Sequence, residues 1–258
     1  MSKQPSGPDN AAAWDRLAEP YQRHVGWPDD HLAWGLRCPP EEDLGLVSDV
    51  VGDARTVVLG CGGGQDLVAL ARLGAGPLTG VDPSSGQLEH ARQRLSRAGL
   101  TARLETRPAT DLAPLDDASA DLVVSVQAFD YVHDLERAFA EIRRVLRPGG
   151  VFAMSVLHPA DLSTEDAAPY GWHTPYHQQQ RDWVWDGLAD REVALRSWFR
   201  SPAAWFTAVT AAGLTVQRLE EPVAVDARPW IERGWLDATT AAKLDVVPGT
   251  ILLRARRD

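Results

Sequence analysis

The sequence predicts an α/β protein built on a doubly wound, mostly parallel seven-stranded sheet, and three observations carry that prediction. First, the apolar run Thr56-Val-Val-Leu59 leads straight into the glycine turn Gly60-Cys-Gly-Gly-Gly64. Gln65-Asp-Leu-Val-Ala-Leu-Ala-Arg72 follows, with apolar residues at helical spacing. Second, an acidic residue, Asp82, closes the next apolar run, Leu78-Thr-Gly-Val81, about 20 residues beyond the glycines. Third, strand-like and helix-like segments alternate from residue 56 to residue 157, the pattern of a parallel sheet with helices on both faces.

Each element has a local reason. Asn10 to Glu19 has helix-forming composition, and Pro20 is expected to close it because proline lacks the amide a helix interior needs. Trp14, Leu17 and Tyr21 share one stripe of that segment, which is expected to pack over the ligand cleft. A second short helix is expected from Glu41 to Val51. The core reads as strand 56–59, helix 65–73, strand 78–81, helix 84–98, strand 102–106, strand 120–126, helix 134–146 and strand 151–157. Asp134 is placed to cap its helix, and Pro148-Gly-Gly150 ends it and turns the chain into the next strand. From His158 to Ser197 the pattern becomes irregular and polar, with Pro159, Pro169 and Pro175. A lid insertion of about 158–198 is the expected reading. A helix from Pro202 to Ala212, a strand from Leu214 to Leu219 and a strand from Thr250 to Arg256 complete the chain. The division is thus a flexible lead and helical cap over 1–50 and one ligand-binding domain with its lid over 51–258.

Composition narrows the function classes. No run approaches the roughly 18 apolar residues of a membrane span. The N-terminal Met1-Ser-Lys-Gln-Pro-Ser-Gly-Pro8 lacks an apolar signal core, so a cytoplasmic protein is expected. Cys38 and Cys61 are the two cysteines, and Cys61 lies within the glycine turn, which argues against a disulfide framework. The formal charge of −10 and the absence of a long basic stretch argue against nucleic acid as partner; Arg143, Arg144 and Arg147 read as a solvated helix face. Three of the ten tryptophans precede the sheet, none lies between residues 35 and 171, and the rest run from Trp172 to Trp235. They mark segments that cover the cleft, some pinning the lid and some lining a pocket for a ring-bearing ligand. A monomer or homodimer acting on a small molecule is expected.

The glycine turn specifies the ligand further. Glycines admit a ligand close to the backbone, and an acidic strand tip accepts hydrogen bonds from ribose hydroxyls, so the ligand carries a ribose. A dinucleotide fingerprint, G-x-G-x-x-G, would need glycine at Gln65, whereas the chain has G-x-G-x-G at Gly60, Gly62 and Gly64. Here, and through Val81-Asp-Pro-Ser84, Ala109-Thr-Asp-Leu112, Asp121-Leu-Val-Val-Ser125 and Leu146-Arg-Pro-Gly-Gly-Val151, the sequence resembles the class I S-adenosylmethionine (SAM) methyltransferases over roughly residues 50 to 157. The resemblance implies a Rossmann-like sheet whose last strand is antiparallel, and SAM as cofactor. It implies cofactor contacts from Gly60, Cys61, Gly62, Gly64, Gln65, Asp82, Pro83, Gln87, Ala109, Thr110, Asp111 and Gln127. Two positions depart from the family pattern: Val58 and Pro108 stand where many members have acidic residues.

Methyl transfer needs an aligned nucleophile and, for most acceptors, a group that takes a proton. No metal is called for, since the sequence has no H-E-x-x-H or Cys/His cluster. His158, at the carboxyl end of a strand, is the expected general base, against the alternative that it bonds the turn before Pro159. Tyr21 is the second catalytic candidate, against simple packing. Asp130, Trp34, Trp172 and His177 are expected to touch the acceptor. His24 and His173 read as surface residues, His90 as solvent-facing on its helix, and His133 as a lesser candidate for acceptor contact. The expected reaction methylates a small aromatic or heterocyclic metabolite, such as the indole carbon of a tryptophan-containing cyclic dipeptide, with O- or N-methylation of another small metabolite equally open. An NAD(P)-dependent oxidoreductase and a non-catalytic SAM-binding scaffold are the rival readings.

Overall fold

A computed structural model describes residues 7–24, 27–177, 180–185 and 192–258. In chain order the elements are α1 (Asn10–His24), α2 (Glu41–Leu44), β1 (Thr56–Leu59), α3 (Gln65–Arg72), β2 (Leu78–Asp82), α4 (Ser85–Arg97), β3 (Arg103–Thr106), β4 (Ala120–Val126), α5 (Leu135–Val145) and β5 (Leu146–Leu157). They continue as α6 (Pro159–Ser163), β6 (Gln180–Trp185), β7 (Val193–Trp198), α7 (Pro202–Ala211), β8 (Leu214–Glu220), α8 (Arg228–Glu232), α9 (Ala238–Leu244) and β9 (Thr250–Arg257).

One seven-stranded sheet runs in the order β3-β2-β1-β4-β5-β9-β8. From β3 to β5 every pair is parallel, and β9 runs antiparallel to both β5 and β8. The expected reversed last strand is therefore present, inserted between two others. β1 and β4 are apolar almost throughout because helices cover both their faces. Val58 and Val124 face Leu67 and Leu70 of α3 on one side, whereas Val57, Leu59 and Val123 face Phe139 and Ile142 of α5 on the other. Phe129, Phe139, Phe152 and Trp205 interlock on that second face at centroid separations of 5.5 to 6.5 Å. Asp134 caps α5 by accepting from the Arg137 amide, as its position predicts. Among the described residues, no helix is long and apolar enough to cross a membrane.

Three expectations need correction. Pro20 does not close α1; the helix continues to His24, and the interior bond that proline forfeits is offset by tertiary contacts of Tyr21 and Gln22. The helix expected from Glu41 to Val51 stops at Leu44. There Gly45 adopts a left-handed conformation (φ 56°), and the Glu41 carboxylate accepts from the amides of Val47 and Ser48. The segment expected to be irregular holds α6 and an antiparallel pair, β6 with β7, whose register runs from Gln180↔Trp198 to Trp185↔Val193. Val193 and Leu195 of β7 bury themselves against Ala13 and Leu17 of α1, so the pair lies on the helix that precedes the sheet. The helices α8 and α9, between β8 and β9, are also absent from the sequence reading.

Candidate active site

The site is built at the carboxyl ends of β1, β2 and β4, where strand tips expose backbone groups that no neighbour completes. Gly60 (φ 68°) follows β1 in the left-handed region, and a Cβ there would lie 2.2 Å from that of Ala128. The Gly60 and Cys61 amides both donate to the Val81 carbonyl, which ties the turn to β2. Asp82, at the tip of β2, accepts from the Gly62 amide with one carboxylate oxygen and from the Ser84 amide with the other, each at 2.9 Å. Both oxygens keep a free lone pair, so the carboxylate is aimed and still able to accept two ribose hydroxyls. Burial pushes its pKa up to about 6 against the pull of those two amides.

The N-terminal helix α1 roofs this turn. Asp15 accepts from the Ser84 hydroxyl at 2.6 Å and the Gly86 amide at 2.9 Å, which pins α1 to the start of α4. Two residues beyond Pro20, Gln22 bridges the two sides of the site. Its side-chain amide donates to Gln87 at 2.8 Å, and its carbonyl accepts from Gln65 at 2.7 Å and from Arg94 at 3.2 Å. Arg94 in turn donates to the Gly63 carbonyl at 2.9 Å. A Cβ on Gly63 would sit 2.3 Å from the Gln22 amide, so a side chain there would push Gln22 off its partners in the roof.

Beneath the roof lies a cavity of about 620 Å³. Of the residues expected to hold the cofactor, Gly60, Cys61, Gly62, Gln65, Asp82, Pro83, Gln87, Ala109, Thr110 and Gln127 line it. Gly64 and Asp111 are not in the lining. Gly64 backs onto Ala91 of α4, and Asp111 is turned outward into a 2.7 Å ion pair with Arg107. The Cys61 thiol is buried, and burial holds its pKa well above the usual value, so it contributes shape and no nucleophile. Gln127 adopts φ 52°; its side-chain amide donates to the Trp34 carbonyl at 3.1 Å, while its Oε1 is buried without a partner.

Of the two catalytic candidates, Tyr21 lines the cavity and His158 does not. The His158 ring caps α6 by accepting from the Ala160 amide at Nδ1 (3.0 Å), and its Nε2 lies 2.6 Å from the Glu221 carboxylate. Both ring nitrogens are thus engaged away from the cleft, and burial lowers its pKa against the opposing effect of Glu221. The bond to the turn at Pro159, the alternative to a general base, is the arrangement present.

The four residues expected to touch the acceptor also fall outside the lining. Asp130 lies behind Phe129 and Tyr131, 1% exposed, with one oxygen accepting from the Leu157 amide. Trp34 is fully buried and donates its indole N–H to Glu41 at 2.8 Å. Trp172 is 62% exposed and packs edge-on against Tyr176, and His177 packs against that same ring. Asp130 and Trp34 serve the core, whereas Trp172 and His177 sit on an outer aromatic cluster. His133 does line the cavity, with its ring 5.1 Å from that of Trp198.

Several lining residues are missing from the sequence reading. Gln22 and Asp66 flank the glycine turn, and Trp14, Tyr131 and Trp198 form an aromatic wall. Trp14 meets Tyr21 and Tyr131 edge-on at 5.2 and 5.4 Å. The signal for Trp14 was present in its stripe with Tyr21. Tyr131 ends the short turn Phe129–Tyr131 beyond β4, on the side of the strand end where ligands gather. Burial raises the Tyr21 phenol to about 12, so it stays protonated at neutral pH and acts as a donor.

The cavity suits an adenosine-bearing cation. It offers an aimed carboxylate for the ribose, glycines where a Cβ would obstruct, and orphaned acceptor atoms on Asp66 and Gln127.

Comparison with known proteins agrees with this geometry. Residues 57–154 match the family described as the methyltransferase domain. The crystal structure of an S-adenosylmethionine dependent methyltransferase from Mesorhizobium loti is 28% identical with a TM-score of 0.63, over 81% of this chain and 93% of that one. A malonyl-acyl carrier protein O-methyltransferase of Geobacter sulfurreducens is 38% identical over 112 residues, 43% of this chain and 41% of the relative. Methyltransferase GfsG of Streptomyces halstedii is 34% identical over 141 residues, 51% of this chain and 49% of the relative. The chain matches less than half the length of these two curated relatives. With the G-x-G-x-G turn, the Asp82 carboxylate at the tip of β2 and the reversed strand β9 all in place, residues 57–154 form a methyltransferase domain of the class I S-adenosylmethionine-dependent kind.

Proposed function

We propose that the protein transfers a methyl group from SAM to a small aromatic or heterocyclic metabolite held against the ring wall of Trp14, Tyr21, Tyr131 and Trp198. The observation that carries this reading is the continuity of one cavity from the Asp82 carboxylate to that wall. At about 620 Å³ it falls within the range of ligand pockets, and its far side offers flat apolar rings with few fixed charges. Such a surface fits a ring-bearing acceptor, the indole carbon of a tryptophan-containing cyclic dipeptide among them; an oxygen or nitrogen acceptor on a similar ring fits it equally.

When bound, SAM supplies an electrophilic methyl group on a positive sulfonium. Asp82 accepts from the ribose hydroxyls, the Ala109 and Thr110 segment borders the adenine, and Gln65 and Gln87, joined through Gln22, keep the roof closed over both. An acceptor that carries a proton at the reacting atom would have to give it up on taking the methyl group. Tyr21, protonated at neutral pH, orients the acceptor by donating to it. His133, in the lining beside Trp198, is the group positioned to receive the proton. Holding reacting atoms about 3 to 3.5 Å apart is worth roughly 7 to 11 kcal/mol, so alignment carries most of the acceleration.

The test is mass spectrometry of metabolite extracts incubated with the protein and isotopically labelled SAM. A product heavier by one labelled methyl, with release of S-adenosylhomocysteine, is the expected result. A chain that binds S-adenosylhomocysteine but labels nothing across a broad acceptor panel is a binding scaffold, and the proposal fails.

A further inference from the structure

Asp66 is a buried carboxylate that the ribose and acceptor assignments leave without a task. It occupies the first turn of α3, lines the cavity beside Gln65, and is 8% exposed. Its Oδ1 is buried with no hydrogen-bond partner. The other carboxylates of the lining are engaged: Asp9 accepts from the Ala11 and Ala12 amides, Asp82 from Gly62 and Ser84, and Asp134 from Arg137. A buried carboxylate oxygen without a donor is expensive, and such an atom in a cavity wall marks a place where a ligand supplies the donor.

The groups around Asp66 do not fill that need. Arg94, the nearest cation, directs its three nitrogens to the Gly63 carbonyl, the Asp29 carboxylate and the Gln22 side chain. Tyr21 and Cys61 also face it, and burial keeps both protonated and neutral at pH 7. The sheet order limits what part of the ligand can reach it. Asp82 lies at the tip of β2 and Ala109 follows β3, so the nucleoside extends from β1 toward β2 and β3. The tail on the other side of the sulfur is left with the glycine turn, the start of α3 and the tip of β4, where the orphaned Gln127 Oε1 supplies a second, neutral acceptor.

We propose that Asp66 accepts the ammonium group of the cofactor's methionine tail, and that this contact, aided by Gln127, is what lets the site retain the amino-acid half of the ligand. The proposal rests on the methyltransferase reading above. It explains the two orphaned acceptors together, because an ammonium brings three donors and one positive charge.

The test is calorimetry on the full chain with two probes: S-adenosylhomocysteine, which carries the tail, and 5′-methylthioadenosine, which has a methyl group on the sulfur in place of the tail. Asp66→Asn should weaken S-adenosylhomocysteine binding about 10- to 100-fold, as expected for a lost hydrogen bond to a charged group. Its affinity for 5′-methylthioadenosine should stay within about twofold of wild type. Should Asp66→Asn not fold, the wild-type protein supplies the same contrast from pH 6 to pH 8. There both probes should follow the ionisation of Asp82 at the shared ribose, and S-adenosylhomocysteine should gain further affinity over 5′-methylthioadenosine as Asp66 ionises around pH 7. Equal losses for both probes, no loss for the first, or a fall in kcat with unchanged S-adenosylhomocysteine affinity would overturn the assignment, the last pointing to a base for the acceptor. Wild-type protein that binds neither probe would sink the methyltransferase reading itself, a result distinct from wild-type protein that binds both and a variant that does not discriminate.

Discussion

Gln22 was hidden in the sequence for a physical reason. Proline usually ends a helix because it lacks an amide and crowds the preceding turn, so the residues after Pro20 read as loop. In the fold, Gln22 is held by Gln65, Gln87 and Arg94, and those contacts outweigh the local preference. A substitution at the facing glycine tests the arrangement. Gly63→Ala places a Cβ 2.3 Å from the Gln22 amide and should weaken S-adenosylhomocysteine binding at least tenfold; adding Gln22→Ala should recover part of the loss. Calorimetry on the single and double variants reads the coupling directly. Tyr21 is legible as a member of a stripe, but its chemistry is set by a burial that sequence does not display. Since its phenol titrates only at about 12, Tyr21→Phe should lower kcat about tenfold through poorer acceptor orientation. The same variant should leave S-adenosylhomocysteine affinity and the pH profile between 6 and 9 unaltered, which steady-state kinetics across that range will show. His158 illustrates the opposite case: a histidine at a strand end promises a base, yet its ring is turned to cap α6 and to meet Glu221.

At the scale of elements, strand β4 occupies the 120–126 span that its apolar run marks, and β1 likewise 56–59. Buried central strands carry a continuous apolar signature, and helices such as α5 present one face, with Ala138, Phe139, Ile142 and Val145 all buried. Phe139→Ala should therefore cost about 3 to 5 kcal/mol of stability, since it empties the middle of a four-ring cluster, and urea denaturation would measure it. What was not legible lies outside the sheet. β6 and β7 pair with each other and lean on α1, so their strand character depends on a partner distant in sequence. Trp183, Val184 and Trp185 follow one another there without polar alternation, so within a stretch interrupted by prolines the short run carries no strand period.

For the molecule as a whole, three buried carboxylates set the response to pH. Burial pushes Asp66 and Asp130 up to about 7 and Asp82 to about 6. Their folded pKa values lie above those of an unfolded chain, so the stability they contribute is complete below about pH 4 and is lost as pH rises through 6 to 7. Asp130 lies outside the cavity, so it isolates the effect from ligand binding. Asp130→Asn should flatten the decline of Tm between pH 5 and pH 8, with a difference of a few kcal/mol at the alkaline end, measurable by calorimetric melting. Ligand should oppose the same decline, because an ammonium beside Asp66 favours its ionised form. The uneven placement of tryptophan has one more consequence. Trp14, Trp27 and Trp198 border the cavity, Trp34 and Trp205 are sealed in the core, and the central strands carry none. The protein thus has a built-in optical reporter: the indole emission of the bordering rings shifts when the chamber fills, over the emission of the seven tryptophans that do not border it, so occupancy can be followed without attaching a dye.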